Sequence, residues 1–528
     1  GELQQPVQVV HKQLTLPMVC HDWQQHADLQ PALDKLARER LQQRFNLARA
    51  PLLDVQVIQT GEAQHHLIYT VHHILMDGWS NSQLMGEILQ RYAGQTLPAR
   101  MGRYRDYIAW LQRQDSSASQ TWWAAQLATL QEPTRLASSL VSVPTTATGH
   151  GNHYQHFGIV ETRYFNEFAR RQKVTLNTLL QGAWLLLLHH YTGQDSLCFG
   201  ATVAGRPTEI AGIEQQVGLF INTLPVIATV NPQTRVDQWL QAVQAQNLSL
   251  REHEHTSLAD IQRWAGHNGE ALFDTLLVFE NYPIADALEQ QAPKGLEFGN
   301  VDTYEQTNYP LTLAVNAGET LSLHYSFAHD AFSEAVIERM AQHLHNLLLR
   351  LTERPDRAIG ELNLLDDSER AQVVHRWNDT ARHYPLERPV QALIEHQVEQ
   401  TPDAAALIFA DVRLSYAQLN ARANQLAHHL IALGVGPDRL VGIALERSVE
   451  MVVGLLAILK AGGAYVPLDP EYPTDRLAYM IDDSGIDLLL TQQSLLSTLP
   501  LPATLHTLCL DTLALDALPD TNPAISVA

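Results

Sequence analysis

Cysteine is scarce in this chain. Three occur in 528 residues, Cys20, Cys198 and Cys509, and they lie far apart in the sequence. This spacing excludes the close cysteine pairs of zinc sites, and so few thiols suit a reducing compartment. Positive charge is also in the minority, since 57 acidic residues outnumber 35 lysines and arginines and give a formal net charge of −22. A nucleic-acid partner is therefore disfavoured, because phosphate binding requires a basic surface.

Long hydrophobic runs are missing as well. The longest, at 179–188 and 451–459, are too short to span a bilayer and follow helical spacing. Residues 1–10 are polar and lack the apolar region of a secretory signal. Hydrophobic residues make up 45% of the chain and charged residues 17%, which is typical of a folded globular protein. We therefore expect a soluble, cytoplasmic protein.

The spacing of apolar residues predicts an α/β protein in several parts. We expect two lobes of similar size at 1–150 and 151–351, a linker rich in proline and acidic residues at 352–389, and another α/β unit at 390–528. In the lobes, strands are predicted at 66–74, 196–203, 275–280 and 321–327, and a helix at 176–191. In the last unit, helices are predicted at 418–433 and 450–460, and strands at 440–445 and 464–468.

One segment has the residue types of a catalytic site. Residues 72–80 read HHILMDGWS, with the histidines on a predicted buried strand, a loop at 75–79, and a helix beginning at Ser80 with Gln83 in capping-box spacing. Acyl transfer to an amine needs a group that accepts a proton near neutral pH, as imidazole does, and that group must be held in one orientation. A histidine followed four residues later by Asp77, at a glycine turn before a helix, meets this requirement.

Two simpler interpretations compete with catalysis. His65 and His66 precede the pair at 72–73, but along one strand the two pairs are roughly 20 Å apart, so they cannot share a metal ion with ligand distances near 2 Å. The other interpretation is a histidine that only packs in a core. The match of several residue types within this one short segment disfavours it.

The segment resembles the HHxxxDGxS signature of the condensation domains of nonribosomal peptide synthetases. Shorter HxxxD relatives occur in chloramphenicol acetyltransferase, dihydrolipoyl acyltransferases and plant acyltransferases, so the motif alone indicates a thioester- or CoA-dependent acyltransferase. Further segments resemble other blocks of the condensation family in the family's order; they lie at 104–110, 205–207, 217–225, 255–258 and 273–283. Together they favour the condensation family over its relatives.

The resemblance implies a fold and a set of site residues. The family has two chloramphenicol-acetyltransferase-like lobes that form a V, with the motif at the floor of a channel between them. His73 matches the active histidine, as a base or as a positioner of the nucleophile, and Gly78 leaves room for substrate beside a backbone N–H that could serve an oxyanion. His72, Asp77 and Arg206 are expected to support the site, and Asp77 and Arg206 form a hypothetical ion pair. Trp79, Ser80 and Asn222 are candidates for lining the channel.

The resemblance also implies the reaction and its partners. A donor carrier domain and an acceptor carrier domain each present a substrate on a phosphopantetheine arm. The acceptor amine attacks the donor acyl or peptidyl thioester and forms an amide. No metal or cofactor is expected on this chain, because the thioester is already activated. An epimerisation domain, a dual condensation–epimerisation domain and an inactive docking platform for carriers remain alternatives, and the expected setting is antibiotic or siderophore biosynthesis.

The last unit resembles the beginning of an adenylation domain. Residues 414–420 and 459–470 match its first two core blocks. Its ATP- and magnesium-binding blocks and its catalytic lysine would lie beyond Ala528, so this stretch alone is not expected to activate an amino acid. At the other end, family members have an additional strand, a helix and an arginine-containing block before the region that matches Gly1. The start of the condensation domain is therefore expected to lie outside the sequence.

Overall fold

A computed structural model describes most of the chain. The described residues are 7–97, 102–140, 147–266, 270–280, 293–299, 301–304, 306–384 and 386–525. Positions 281–283 of the block at 273–283 lie outside them. The chain divides into two compact units, Gly1–Asn378 and Asp379–Ala528, and each is described by itself.

The first unit begins with a small mixed sheet. Its elements are β1 (Met18–Asp22), α1 (Leu29–Gln42), β2 (Leu53–Gln59), β3 (His65–Val71), a 3₁₀ turn (His73–Leu75) and α2 (Gly78–Tyr92). The strand order is β1-β2-β3, with β1 parallel and β3 antiparallel to the central β2. Leu33 and Leu36 of α1 pack on Ile58 of β2 and form a small core. This sheet carries the histidine motif at the end of its edge strand β3.

A larger sheet forms the rest of the first unit. Short helices lead into it: α3 (Tyr104–Leu111), α4 (Ser116–Leu127) and α5 (Leu136–Ser139). Its elements are β4 (His150–His156), α6 (Ile159–Arg171), α7 (Leu176–Thr192), β5 (Ser196–Val203), β6 (Asn222–Thr229), α8 (Val236–Arg251), α9 (Leu258–Trp264), β7 (Thr275–Glu280), β8 (Leu311–Ala317), β9 (Leu321–Ala328) and α10 (Glu334–Glu353). The strand order is β4-β9-β8-β7-β5-β6.

A continuous apolar core fills this larger part. Residues 178–188 of α7 are all buried, and they join apolar residues of β5, β8, β9 and α10 in one continuous cluster. Strands whose two faces both meet protein read as near-continuous apolar runs, as β5 does. After α10 the chain continues through a 3₁₀ turn (Ile359–Glu361), α11 (Asp367–Ala371) and a π-helical turn (Gln372–Arg376).

The second unit contains a parallel sheet with flanking helices. Its elements are α12 (Val390–Gln400), β10 (Ala405–Phe409), β11 (Val412–Ser415), α13 (Tyr416–Ala432), β12 (Leu440–Ile443), α14 (Val449–Lys460), β13 (Ala464–Pro467), α15 (Thr474–Ser484), β14 (Leu488–Thr491) and β15 (His506–Cys509). The parallel strands follow the order β13-β12-β14-β15, and β10 and β11 form a separate hairpin. None of the helices in the described residues is long and apolar enough to cross a membrane.

The elements predicted from the sequence agree with these bounds to within two residues, except at the histidine motif. The strand predicted at 66–74 ends at Val71, so the two histidines lie in the turn that follows it. The helix predicted from Ser80 begins at Gly78, and Asp77 is its N-cap. The capping-box spacing of Ser80 and Gln83 was therefore misleading, because the carboxylate of Asp77, just upstream of the helix pattern, caps the helix instead.

Candidate active site

His73 lies at the surface of a short, well-anchored turn. It is exposed and opens the 3₁₀ turn between β3 and α2. Its neighbour His72 anchors the turn: the His72 backbone N–H donates to Leu52 O at 3.0 Å, and His72 Nδ1 accepts from the N–H of Ile74 at 3.1 Å. The ring of Phe45 packs edge-on against His72, with 6.1 Å between centroids. The imidazole of His73 is thus presented to solvent from a backbone that His72 fixes.

Asp77 joins α2 to a distant loop. Its carboxylate accepts from the N–H of Ser80 at 2.8 Å, which caps the helix, and from the N–H of Phe220 at 3.0 Å. Its own N–H donates to Gly218 O at 3.1 Å. The residue is 1% exposed. A buried carboxylate must find donors or a counter-charge, and here it has both.

The counter-charge is Arg206. Arg206 Nη2 lies 3.2 Å from Asp77 Oδ1 and 2.9 Å from Ser80 Oγ. Nη1 donates to Ile213 O at 2.6 Å and to Gln216 O at 3.1 Å. Burial lowers the pKa of Arg206 from its ordinary value, and the negative charge of Asp77 acts in the opposite direction. The structure therefore brings together the two side chains of the hypothetical ion pair.

Ser80 completes this set of contacts. Its hydroxyl donates to Gly218 O at 2.8 Å and accepts from the N–H of Gly218 at 3.1 Å. It is fully buried, so it supports the site from within the protein and does not line an open channel. We refer to Asp77, Ser80, Arg206, Gly218 and Phe220 as the clamp, because they tie the start of α2 to the loop before β6.

The other candidates flank the clamp. Gly78 is exposed, and a Cβ built on it would meet no atom within 4 Å. Trp79 is half-buried, and its indole N–H donates to Glu214 O at 2.8 Å. Asn222 is also half-buried, and its amide donates to Glu254 O at 2.9 Å and to Thr256 O at 2.6 Å. These bonds use both amide hydrogens of Asn222 and hold the loop after α8 in place.

Two residues of the site have roles that the sequence did not reveal. The hydroxyl of Tyr104 donates to Leu219 O at 2.7 Å, and its ring packs edge-on against Phe220 at 5.2 Å between centroids. A Cβ on Gly218 would overlap the ring of Tyr104, so only glycine fits there without a shift. The glycine inside the block at 217–225 is the sequence feature that indicates a close approach at this position. The sequence does not show that the block at 104–110 supplies the contact.

Ionisable groups beside the clamp are also perturbed. Burial raises the pKa of Tyr107 to about 12, with smaller contributions from Tyr104 and Glu254. Burial raises the pKa of Glu254 as well. Within the part of the chain that the structure describes, no group of three or more histidine, cysteine, aspartate or glutamate side chains is placed to hold a metal ion.

Comparison of the sequence with known protein families identifies the family of the chain. A family model of the condensation domain matches residues 1–374, and a model of the AMP-binding enzyme matches residues 394–525. The chain belongs to the condensation-domain family. A part of an AMP-binding domain follows it, as the blocks at 414–420 and 459–470 predicted. The condensation domains of nonribosomal peptide synthetases are amide-forming acyltransferases, and the chain is assigned to that enzyme class.

The relatives of this condensation domain are large synthetases. One of the linear gramicidin synthase proteins of Brevibacillus parabrevis is 41% identical over 97% of the chain, which covers 10% of that protein. Surfactin synthase subunit 2 from Bacillus subtilis (strain 168) is 34% identical over 93% of the chain, which covers 14% of its length. The chain therefore spans only a small fraction of the curated relatives that it matches.

Solved structures agree on the fold. A four-domain nonribosomal peptide synthetase bound to AMP and glycine superimposes on 95% of the chain with a TM-score of 0.76 at 22% identity, over 39% of that structure. The X-domain from teicoplanin biosynthesis covers 68% of the chain with a TM-score of 0.56 at 19% identity, over 83% of its own length. The mixed α/β condensation fold expected from the sequence is confirmed.

Proposed function

We propose that this condensation domain forms an amide bond by transferring a carrier-bound acyl or peptidyl group to the amine of a carrier-bound aminoacyl acceptor. The observation that carries the proposal is the contrast within one motif. His73 is exposed on a fixed turn, whereas Asp77, four residues later, is buried in the clamp. An accessible imidazole on a backbone that hydrogen bonds hold in place is what positioned acyl transfer requires.

In this mechanism His73 acts at the acceptor amine. The amine attacks the thioester carbonyl, the C–N bond forms, the C–S bond breaks, and the amine proton leaves while the thiolate accepts one. His73 takes the amine proton or orients the amine by a hydrogen bond. The phosphopantetheine arms belong to the substrates, and the activated thioester supplies the driving force.

Gly78 has a role that the packing of the protein does not explain. A side chain there would meet open space, and its backbone does not lie in the left-handed region that favours glycine. Neither packing nor backbone conformation requires glycine here, and a substrate that approaches His73 would supply a reason for it. As the first residue of α2, Gly78 also has a backbone N–H with no partner inside the helix, which could donate to a developing oxyanion.

The test uses the complete synthetase module that contains this chain, with its donor and acceptor carriers loaded. Intact-protein mass spectrometry follows the acyl group onto the acceptor for the wild type, His73→Ala and His65→Ala. His65 is an exposed histidine on β3 and serves as the matched control. We expect about 100-fold slower transfer for His73→Ala, in the usual range for loss of acid–base help, and no change for His65→Ala. Equal rates for all three would refute the role of His73.

Chiral analysis of the residue released from the carrier and a carrier-binding measurement, added to this assay, separate the alternatives, because neither inversion nor binding changes the mass of the loaded carrier. Inversion of the carrier-bound residue without transfer would indicate an epimerisation domain, and inversion followed by transfer would indicate a dual domain. Binding of carriers with neither reaction would indicate a docking platform.

A further inference from the structure

The segment after α10 is bound to the first unit by a buried polar contact. His343 of α10 is 5% exposed and lies between two partners. Its Nδ1 lies 2.8 Å from the hydroxyl of Tyr191, at the end of α7. Its Nε2 lies 3.2 and 3.3 Å from the two carboxylate oxygens of Glu369 in α11. A neutral imidazole satisfies both, because it accepts from the phenol at one nitrogen and donates to the carboxylate at the other.

The position of Glu369 is itself fixed. Asp366 caps α11 by accepting from the backbone N–H of Glu369 at 2.8 Å. Two residues before the cap, Leu364 O accepts from the side-chain amide of Asn346 at 2.8 Å. Further upstream, Ile359 and Leu362 are 1% and 2% exposed and belong to the main core of the first unit. The segment is thus anchored first by apolar burial and then by polar contacts.

Side-chain burial stops two residues after this contact, since Ala371 is the last half-buried residue before a run of exposed ones. Every described residue at 372–390 is exposed, including Val373, Val374 and Trp377, with Trp377 at 67%. Within the described residues, Glu369 is the last residue before the second unit whose side chain hydrogen-bonds to α10 of the first unit. The sequence predicts one linker at 352–389, but the chain has a docked portion up to α11 and a solvated portion after it.

We propose that Tyr191, His343 and Glu369 form a latch that sets the point where the chain leaves the condensation domain. When the latch is closed, the free tether begins after α11. When it opens, Asn346 and the apolar anchors remain, and residues 365–371 join the tether. Seven extended residues add up to about 25 Å of reach. The latch would then set the length of the free tether that precedes the second unit.

Limited proteolysis of the complete synthetase tests the latch. Arg370 is exposed but lies within α11, so trypsin can cut after it only when that short helix opens. We compare the wild type with Glu369→Ala, Glu369→Gln and Glu361→Gln. Glu361 forms an exposed ion pair with Arg357 in the same segment and is the matched control. Cleavage sites are assigned by mass spectrometry, and hydrogen exchange of α10 reports the integrity of the domain.

We expect Glu369→Ala to speed cleavage after Arg370 by about 10- to 100-fold, which corresponds to loss of a hydrogen bond to a charged group. Glu369→Gln keeps an acceptor for the imidazole N–H and should fall between Glu369→Ala and the wild type, and Glu361→Gln should match the wild type. Exchange in α10 should not change in any variant. Equal cleavage of wild type and Glu369→Ala would overturn the proposal. So would a parallel loss of protection throughout α10, because the effect would then be general destabilisation.

Discussion

Removal of the Asp77 carboxylate should loosen the junction between α2 and the loop before β6. In Asp77→Ala, the guanidinium of Arg206 stays buried without its counter-charge, and the N–H groups of Ser80 and Phe220 lose their acceptor. Breaking one side of a buried ion pair costs about 3–5 kcal/mol. We expect the lower end, about 3 kcal/mol, because Arg206 keeps the carbonyls of Ile213 and Gln216 as partners.

The chain has two units, so one global unfolding free energy would be poorly defined. Hydrogen exchange by mass spectrometry measures the junction directly, in peptides that cover α2 and residues 216–221. A loss of about 3 kcal/mol corresponds to exchange roughly 100-fold faster where opening is local. The exchange rate of Asp77→Asn should lie between those of the wild type and Asp77→Ala, because the amide oxygen of the asparagine still accepts a hydrogen bond. Glu39→Gln, at the exposed Lys35–Glu39 pair on α1, should change stability by no more than about 0.5 kcal/mol.

A paired substitution sharpens this test. If the cost comes from an uncompensated charge, then Asp77→Leu combined with Arg206→Met should be less destabilised than either single variant. Additive losses would mean that the helix cap and packing, not the charge pair, dominate. Exchange in Asp77→Ala that equals exchange in Glu39→Gln would refute the reasoning altogether.

Three other substitutions probe the residues around the clamp. Gly78→Ala should leave stability unchanged within about 1 kcal/mol, because its Cβ meets no atom, yet transfer between carriers should slow by about tenfold or more; unchanged transfer would remove the steric argument. Gly205→Ala should speed hydrogen exchange in peptides that cover residues 203–207 by at least about 30-fold, the equivalent of about 2 kcal/mol, because its φ is +61° and a Cβ would overlap Phe220 O. Glu254→Gln should stabilise the first unit at neutral pH, because burial raises the pKa of the carboxyl and penalises its charged form in the folded state. That gain should shrink as the pH falls towards 4.5, where the wild-type carboxyl becomes neutral too, and a constant gain across this range would contradict the assignment.

His73 could be predicted from the sequence because the residues of its motif are consecutive. Nine consecutive residues contain the histidine, the capping carboxylate, the glycine and the start of the helix. Residues this close in sequence remain close in the folded protein. Arg206 is different, since it lies 129 positions from Asp77. No spacing rule links two such residues, and only the resemblance suggested the pair. The contact of Tyr104 with Gly218 was invisible for the same reason.

The errors at the motif have physical causes. The alternation of apolar residues continues through Ile74, so periodicity alone extended β3 too far, although Ile74 is 48% exposed in the turn. Ser80 and Asp77 are both good N-cap residues, and their order along the chain does not decide between them. The buried partners of the Asp77 carboxylate decide it, and they come from another part of the sequence.

The two halves of the motif have different tasks: His73 is accessible to substrates, and Asp77 supports the backbone that carries it. A catalytic imidazole needs open access for its substrates, and such exposure normally costs positional precision because surface turns move. Here the precision comes from charges that are buried a few residues away, where water cannot compete for the hydrogen bonds of Asp77 and Arg206. The clamp therefore has to be costly to break if it is to hold His73, and its stability and the rate of transfer should fall together in any variant that weakens it. The latch at His343 also depends on a buried polar contact, and this contact fixes the point where the chain leaves the condensation domain.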